Sequence, residues 1–272
     1  MKRAEDIQVR LDNVRQVESI VATLRALAAA HRAEARTHLQ AIHSHETVVA
    51  SALAAALSAL ADKPHQESAN AQDIVIIVGV SQGFCGVYAD QLAQAVQAEV
   101  RQGATLMVIG ARTAAALEGG ETMAWTADMA AHAYEVPGLA SRLADALFAR
   151  LVRTPGTPVR VVVADPTQSG LPLTSRQLLP FDFSRVTPLA GPQPLITLPP
   201  ATLAMKLVEE YVFAELCRSL MMGFAAENAA RAEAMARAQS NTRRILTELQ
   251  SEFRRVRQEQ MTTEIIEVSA GR

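Results

Sequence analysis

The sequence predicts an α/β protein of divided plan: a long antiparallel coiled coil made by its N- and C-terminal helices, with a compact α/β domain between them. Three observations lead there. Met1 to Lys63 holds neither glycine nor proline. Ala201 to Ala270 holds no proline and one glycine, Gly223. Between these stretches, short runs of β-branched residues alternate with helical segments, the pattern of βαβ units.

The first element, 1–63, is dominated by Ala, Leu, Arg, Glu and Gln, which favour helix. Val14, Val17, Val21, Leu24 and Leu27 step along it by three or four positions, and Leu39, Ile42, Val49, Leu53, Leu57 and Leu60 continue the stripe less regularly. The last element, 201–272, would reach roughly 100 Å at about 1.5 Å per residue, so it cannot bury itself alone. Its Met235, Ala238, Thr242, Ile245, Leu249, Phe253 and Val256 alternate threes and fours, near the 3.5-residue period that winds helices around each other. Because the chain crosses the middle and returns, the pairing is expected to be antiparallel, with the two termini far apart along the rod. Periodicity alone also fits ordinary core helices of a bundle.

The middle domain is expected over 73–186. Pro64 and the polar run His65 to Gln72 read as a linker. Asp73 to Val80 is a continuous apolar run, the mark of a strand buried on both faces of a parallel sheet. Thr105 to Gly110 and Pro158 to Ala164 repeat it. Helices are expected near Ala89 to Arg101 and Gly138 to Arg153, and Leu173 to Phe183 reads as an edge strand. The whole is a Rossmann-like α/β domain. Prolines at 188, 192, 194, 199 and 200 mark an extended return to the last helix.

Composition narrows the function. The 272 residues are 49% hydrophobic and 20% charged, with a formal net charge of -2, so bulk attraction to nucleic acid is not implied. Aromatics are only 4%, and the alanine-rich apolar content suits close helix packing. Cys85 and Cys217 make no disulfide framework, no Cys/His spacing suggests a zinc site, and free thiols are expected. The charged start from Lys2 to Asp6 lacks an apolar signal core, and no run approaches the roughly twenty apolar residues of a membrane span. A link to a membrane would go through partners.

A search for catalytic motifs finds little, and no cofactor or metal is expected. Ser81-Gln-Gly-Phe-Cys-Gly86 follows the first strand and could present backbone amides to an anion. It lacks the glycine spacing of a dinucleotide fingerprint and the Lys-Ser/Thr of a phosphate loop, so a tight turn needing small residues is favoured. Cys85 reads as a packed small residue rather than an activated thiol. His31, His38, His43 and His45 read as solvated or interface residues, because none sits in a helical metal motif. Asp165, at a strand end, is the best single candidate for an enzyme on this domain, and such aspartates commonly form turns.

The C-terminal string Glu227-x-x-x-Arg231-x-x-x-Met235-x-x-Ala238-x-x-Asn241, followed by Arg257-Gln258-x-x-x-Thr262-x-Glu264-Ile265-x-Glu267, resembles the signature of the gamma subunits of F-type ATP synthases. Ile7-x-x-Arg10-Leu11 and Ile20 through Leu27-Ala-Ala-Ala30 resemble that family's opening helix. Ser81 to Gly86, with Gly83 and Cys85, resembles its serine-to-cysteine-glycine turn with one residue missing. The resemblance covers essentially the whole chain. Departures stand at Ala22-Thr23-Leu24, Arg25-Ala26-Leu27 and Arg254, and they suggest a divergent branch such as the alternative, sodium-type F-ATPases of some bacteria.

The resemblance implies a non-catalytic rotor shaft that couples ion-driven rotation of the membrane c-ring to ATP synthesis or hydrolysis on a ring of three alpha and three beta subunits. Epsilon would be a further partner, and the location would be peripheral, on the cytoplasmic side of a bacterial inner membrane. The contacts it implies with the alpha/beta ring are Leu24, Arg25, Arg254, Arg255, Arg257, Gln258, Thr262 and Glu264. Read alone, the arginines favour a solvated helix face paired with Glu248, Glu252 and Glu259. A coiled-coil adaptor and a small-molecule enzyme on the α/β domain are the alternative classes.

Overall fold

The computed structural model describes residues 4–58, 72–97, 103–117, 123–168, 170–181 and 196–271. The linker at 65–71, Gly119-Gly120 and the proline-bearing stretch at 187–195 lie outside the described residues. Two compact units form: Met1–Ala29 with Arg231–Arg272, and Ala30–Ala230. Helices α1 (Ala4–Ser58) and α5 (Pro200–Ala270) contribute to both.

The larger unit is built on a five-stranded sheet. Strands β1 (Ile74–Val78), β2 (Thr105–Ile109), β3 (Met123–Ala127), β4 (Val159–Ala164) and β5 (Leu173–Leu179) lie in the order β3-β2-β1-β4-β5. The first four run parallel and β5 closes one edge antiparallel. Every residue of β1 is buried, as its unbroken apolar run requires. Ile74, Ile76 and Val78 point to one face, into a core shared with Leu139, Leu143 and Leu147 of α4 (Val136–Leu151) and Val212, Leu216 and Leu220 of α5. Val75 and Ile77 point to the other, against Leu92 of α2 (Tyr88–Ala95) and Leu117 of α3 (Ala111–Leu117). Each such buried side chain contributes roughly 1.5–3 kcal/mol relative to exposure.

Gly223 is explained by this packing. A β-carbon there would run into the side chain of Val78 and lie 3.1 Å from the Met129 methyl. The long helix therefore gives up about 1 kcal/mol of helix propensity relative to alanine to lie directly on β1.

Two elements differ from the sequence expectation by omission. Strand β3 was not expected; Met123, Trp125 and Ala127 are half-buried while Ala124 and Thr126 are exposed, a period-2 signal too short and too weak in β-branched residues to stand out. Helix α3 is a seven-residue crossover below the length at which periodicity is readable. Helix α4 begins earlier than expected, with Pro137 in its first turn, where a missing N–H is harmless.

The smaller unit is a two-helix antiparallel pair. Ile7 and Leu11 of α1 share a cluster with Leu246 and Val256 of α5, flanked by Ala4, Val14, Leu249 and Phe253. Glu18 pairs with Arg243 at 3.0 Å, and Arg25 donates to Gln239 at 2.8 Å. As one number falls the other rises, which fixes the antiparallel sense. The expectation of distant termini is corrected in part: Ile7, near the start of α1, lies beside Val256, and α5 continues past that point to Ala270, roughly 20 Å further. The expected stripe holds at Val21, which is buried, and at Val14, which packs against the cluster, and is corrected elsewhere. Val17 and Leu27 are about half exposed, whereas Ile7, Leu11 and Ala28 are buried. The true seam runs through Glu18 and Ala28, a polar and a small residue that do not announce a core position.

Candidate functional site

The turn after β1 sits at the C-terminal edge of the parallel strands. Strand order reverses there, with β2 on one side of β1 and β4 on the other. Folds of this kind bind anionic ligands in that crevice. In this chain the crevice is filled from within. Val80, Cys85 and Tyr88 pack against Ala164 and against Ala226 and Ala230 of α5. The Glu227 carboxylate accepts the backbone N–H groups of Ser81 at 3.2 Å and Gln82 at 3.1 Å. A buried carboxylate of the same chain thus takes up two backbone N–H groups of the kind that can bind an anion.

The rest of the turn is equally internal. Ser81 accepts the Met129 N–H at 2.6 Å and donates to Asp128 at 3.4 Å. The single Cys85 S–H faces three carbonyl acceptors, those of Gln82, Gly83 and Glu227, at 3.5 to 3.6 Å. Gly86 takes the left-handed conformation expected of such a turn, and so does Phe84, at φ 65. That was not legible in the sequence, which suggested small residues only. Phe84 is also well exposed. Burial, with Glu227 beside it, raises the Tyr88 phenol well above its ordinary value, so it is a neutral packing group.

The other chemical candidates resolve into structural roles. Asp165 accepts from the Thr167 N–H at 2.9 Å, the Thr167 hydroxyl at 2.6 Å and the Gln168 amide at 2.9 Å. These bonds, those from Thr167 first, hold its carboxyl below the usual range; it is a turn former. His31 packs edge-on against His132 and tilted against Phe224, both at 5.7 Å. His45 pairs with Glu210 at 3.0 Å. Among the described residues no group of His, Cys, Asp or Glu is placed to hold a metal, and no helix is long and apolar enough to cross a membrane.

The residues expected to face a ring all lie in the two-helix unit. Arg25 is exposed and tied to Gln239, while Leu24 is half-buried. Arg254, Arg255, Arg257, Gln258, Thr262 and Glu264 are exposed along α5. Arg254 donates to the Gln250 carbonyl at 3.3 Å, and Thr262 to that of Gln258 at 2.8 Å. No ion pair joins Arg255 or Arg257 to a carboxylate among the described residues; the nearer pairs are Arg244 with Glu248 and Arg243 with Glu18. The two groups are not brought together. Gln239, opposite Arg25, precedes Arg254 by fifteen positions, roughly 22 Å along a helix. Past Val256 the apolar residues Met261, Ile265, Ile266 and Val268 are all more than half exposed.

These observations define a class: a protein with one antiparallel two-helix unit and one α/β unit, in which the turn after the first strand is capped by a carboxylate of the last helix. A family model described as ATP synthase matches residues 3–272. The ATP synthase gamma chain of Wolbachia pipientis subsp. Culex pipiens (strain wPip) is 24% identical over 100% of this chain and 99% of its own length. That of Solibacter usitatus (strain Ellin6076) is 38% identical, over 33% of each chain. Among solved structures, a chain of the Euglena gracilis mitochondrial ATP synthase (OSCP/F1/c-ring, rotational state 3) has a TM-score of 0.62 at 14% identity, covering 98% of this chain and 93% of its own. A chain of the Tetrahymena thermophila mitochondrial ATP synthase (central stalk/c-ring) has a TM-score of 0.57 at 12% identity, covering 80% and 99%. The chain belongs to the ATP synthase gamma-chain family.

Proposed function

We propose that the chain is the central rotor shaft of an F-type ATP synthase. In this reading it is a non-catalytic subunit that couples rotation of an ion-driven membrane ring, proton- or sodium-fed, to ATP synthesis or hydrolysis on a ring of three alpha and three beta subunits. Epsilon and the c-ring are its further partners, and it sits peripherally on the cytoplasmic side of a bacterial inner membrane. The observation that carries this is the antiparallel helix pair of the smaller unit, which keeps Val9, Val17, Ile20 and Leu27 exposed on one helix and Arg254, Arg255, Arg257, Gln258, Thr262 and Glu264 on the other. A shaft with unequal faces can favour a different beta conformation in each orientation, because only differential contacts shift such equilibria. Leu24 and Arg25 are the proposed contacts on α1. The internal filling of the anion crevice by Glu227 supports a chain without chemistry of its own.

The test is reconstitution. The purified chain is mixed with alpha and beta subunits from the same source, and ATP hydrolysis is assayed with and without it alongside size-exclusion chromatography. Entry into a large complex together with the appearance of hydrolysis is expected. A chain that stays apart and changes nothing overturns the reading and favours the adaptor.

A further inference from the structure

In the larger unit, four charged side chains from three elements converge. Glu46 comes from α1, Arg176 from β5, and Glu215 and Arg218 from α5. The Glu215 side chain is only 3% exposed and that of Glu46 12%. Arg176 Nη2 lies 2.7 Å from Glu215 Oε1 and 3.6 Å from Glu46 Oε1. Arg218 lies 3.8 Å from Glu46 Oε2 and 3.9 Å from Glu215 Oε2. The Tyr211 hydroxyl donates to Glu215 Oε1 at 3.0 Å.

The distances are lopsided. Glu215 Oε1 takes both short bonds, while the other three carboxylate oxygens see cations only at 3.6 to 3.9 Å. Glu46 Oε2 is buried and makes no hydrogen bond among the described residues. Arg176 and Arg218 favour ionised carboxylates, but neither reaches Glu46 Oε2 within hydrogen-bond distance, and desolvation and like charge oppose ionising both groups. A proton on one carboxyl group, donated to the other, removes both penalties.

We propose that Glu46 and Glu215 share one proton and form a proton-dependent clasp that ties α1 and the edge strand β5 to α5. The charged groups facing it are few. On α1, His43 reaches Glu46 Oε2 at 3.7 Å from a mostly exposed position, and His45 is occupied by Glu210. On β5 there is Arg176, on α5 Tyr211 and Arg218, and in the turn after β4 Asp165, whose carboxyl feels Arg218. Burial first, and then the Glu46 carboxyl beside it, push Glu215 up from the ordinary 4.5 to about 7. The folded chain thus holds this proton more tightly than the unfolded chain. The stabilisation is complete below 4.5 and is lost as pH rises through about 7.

The experiment is urea unfolding of the full-length chain at a series of pH values, comparing wild type with Glu215→Gln and Glu46→Gln. The wild-type midpoint is expected to fall as pH rises through the window. Glu215→Gln, which keeps the shape of the protonated form, should flatten that part of the profile. A Glu215→Gln profile parallel to wild type overturns the proposal. Should the variants fail to fold, infrared difference spectra of the wild type decide: a carboxylic-acid carbonyl band that disappears as pH passes neutrality upholds the shared proton, and its absence at all pH values above the ordinary carboxylate range overturns it.

Discussion

The Glu227 carboxylate, on the last helix, accepts the backbone N–H of Ser81 in the turn after the first strand, at 3.2 Å. With the Gln82 N–H as second donor, the pair is a charge-assisted, part-buried cap. Glu227→Ala takes the acceptor from two part-buried N–H groups and should cost about 1–3 kcal/mol. Glu227→Gln keeps one acceptor oxygen and should cost less. Urea midpoints of the two variants check the order.

Gly223→Ala tests the close approach of α5 to β1. Helix propensity alone would make it stabilising by about 1 kcal/mol. The new methyl meets the side chain of Val78, which is fully buried in the central strand and β-branched, so neither partner can turn aside. Overpacking of about 1–3 kcal/mol should win. A rise in thermal midpoint would contradict this packing.

In the helix pair, apolar burial should outweigh the visible ion pair. Leu11 is 2% exposed, so Leu11→Ala should cost about 2–4 kcal/mol. Arg243 is 66% exposed where it meets Glu18, and Arg243→Ala should cost under about 1 kcal/mol. Circular dichroism melts of the two variants separate them; equal losses would mean that the ion pair contributes as much as apolar burial and would overturn this ranking.

Arg257 and Gln258 are exposed, so their replacement by alanine should leave the unfolding midpoint of the isolated chain within about 0.5 kcal/mol. ATP hydrolysis by the reconstituted complex should nevertheless fall. Loss of stability without a change in turnover would assign them to the helix rather than to a contact.

Cys217 is buried and its thiol is pushed up to about 12, by burial first and Glu210 second. Since only the thiolate reacts, a maleimide at mildly alkaline pH should leave Cys217 unlabelled in the native chain and label it after urea unfolding. Rapid native labelling would show that this stretch of α5 opens readily.

What the sequence made legible followed from signal length. Two segments almost free of glycine and proline, and strands such as Ile74–Val78 buried on both faces, have patterns that nothing local contradicts. The seam of the helix pair was harder, since Glu18 and Ala28 hold core-facing positions while Val17 and Leu27 face outward. Large apolar residues on a shaft serve both an inner and an outer surface, so hydrophobicity stops marking the inside. The closing of the anion crevice by Glu227 was beyond reach, because it depends on residues 146 positions apart. So was the convergence of Glu46, Arg176 and Glu215, which sit on three separate elements.

The position of Glu227 and of the Val212-to-Ala225 face in the chain also bears on biosynthesis. The sheet is complete at Leu179, yet the helix that covers one of its faces and caps its first turn is translated afterwards. At about 5–20 residues per second, the interval between Leu179 and Glu227 is roughly 2–10 s. Until α5 has been made, Ile76, Val78 and Val161 lack the cover it gives them. The cover on this face of the sheet is therefore the last part of the domain to be translated, and a chain truncated before α5 would expose Ile76, Val78 and Val161.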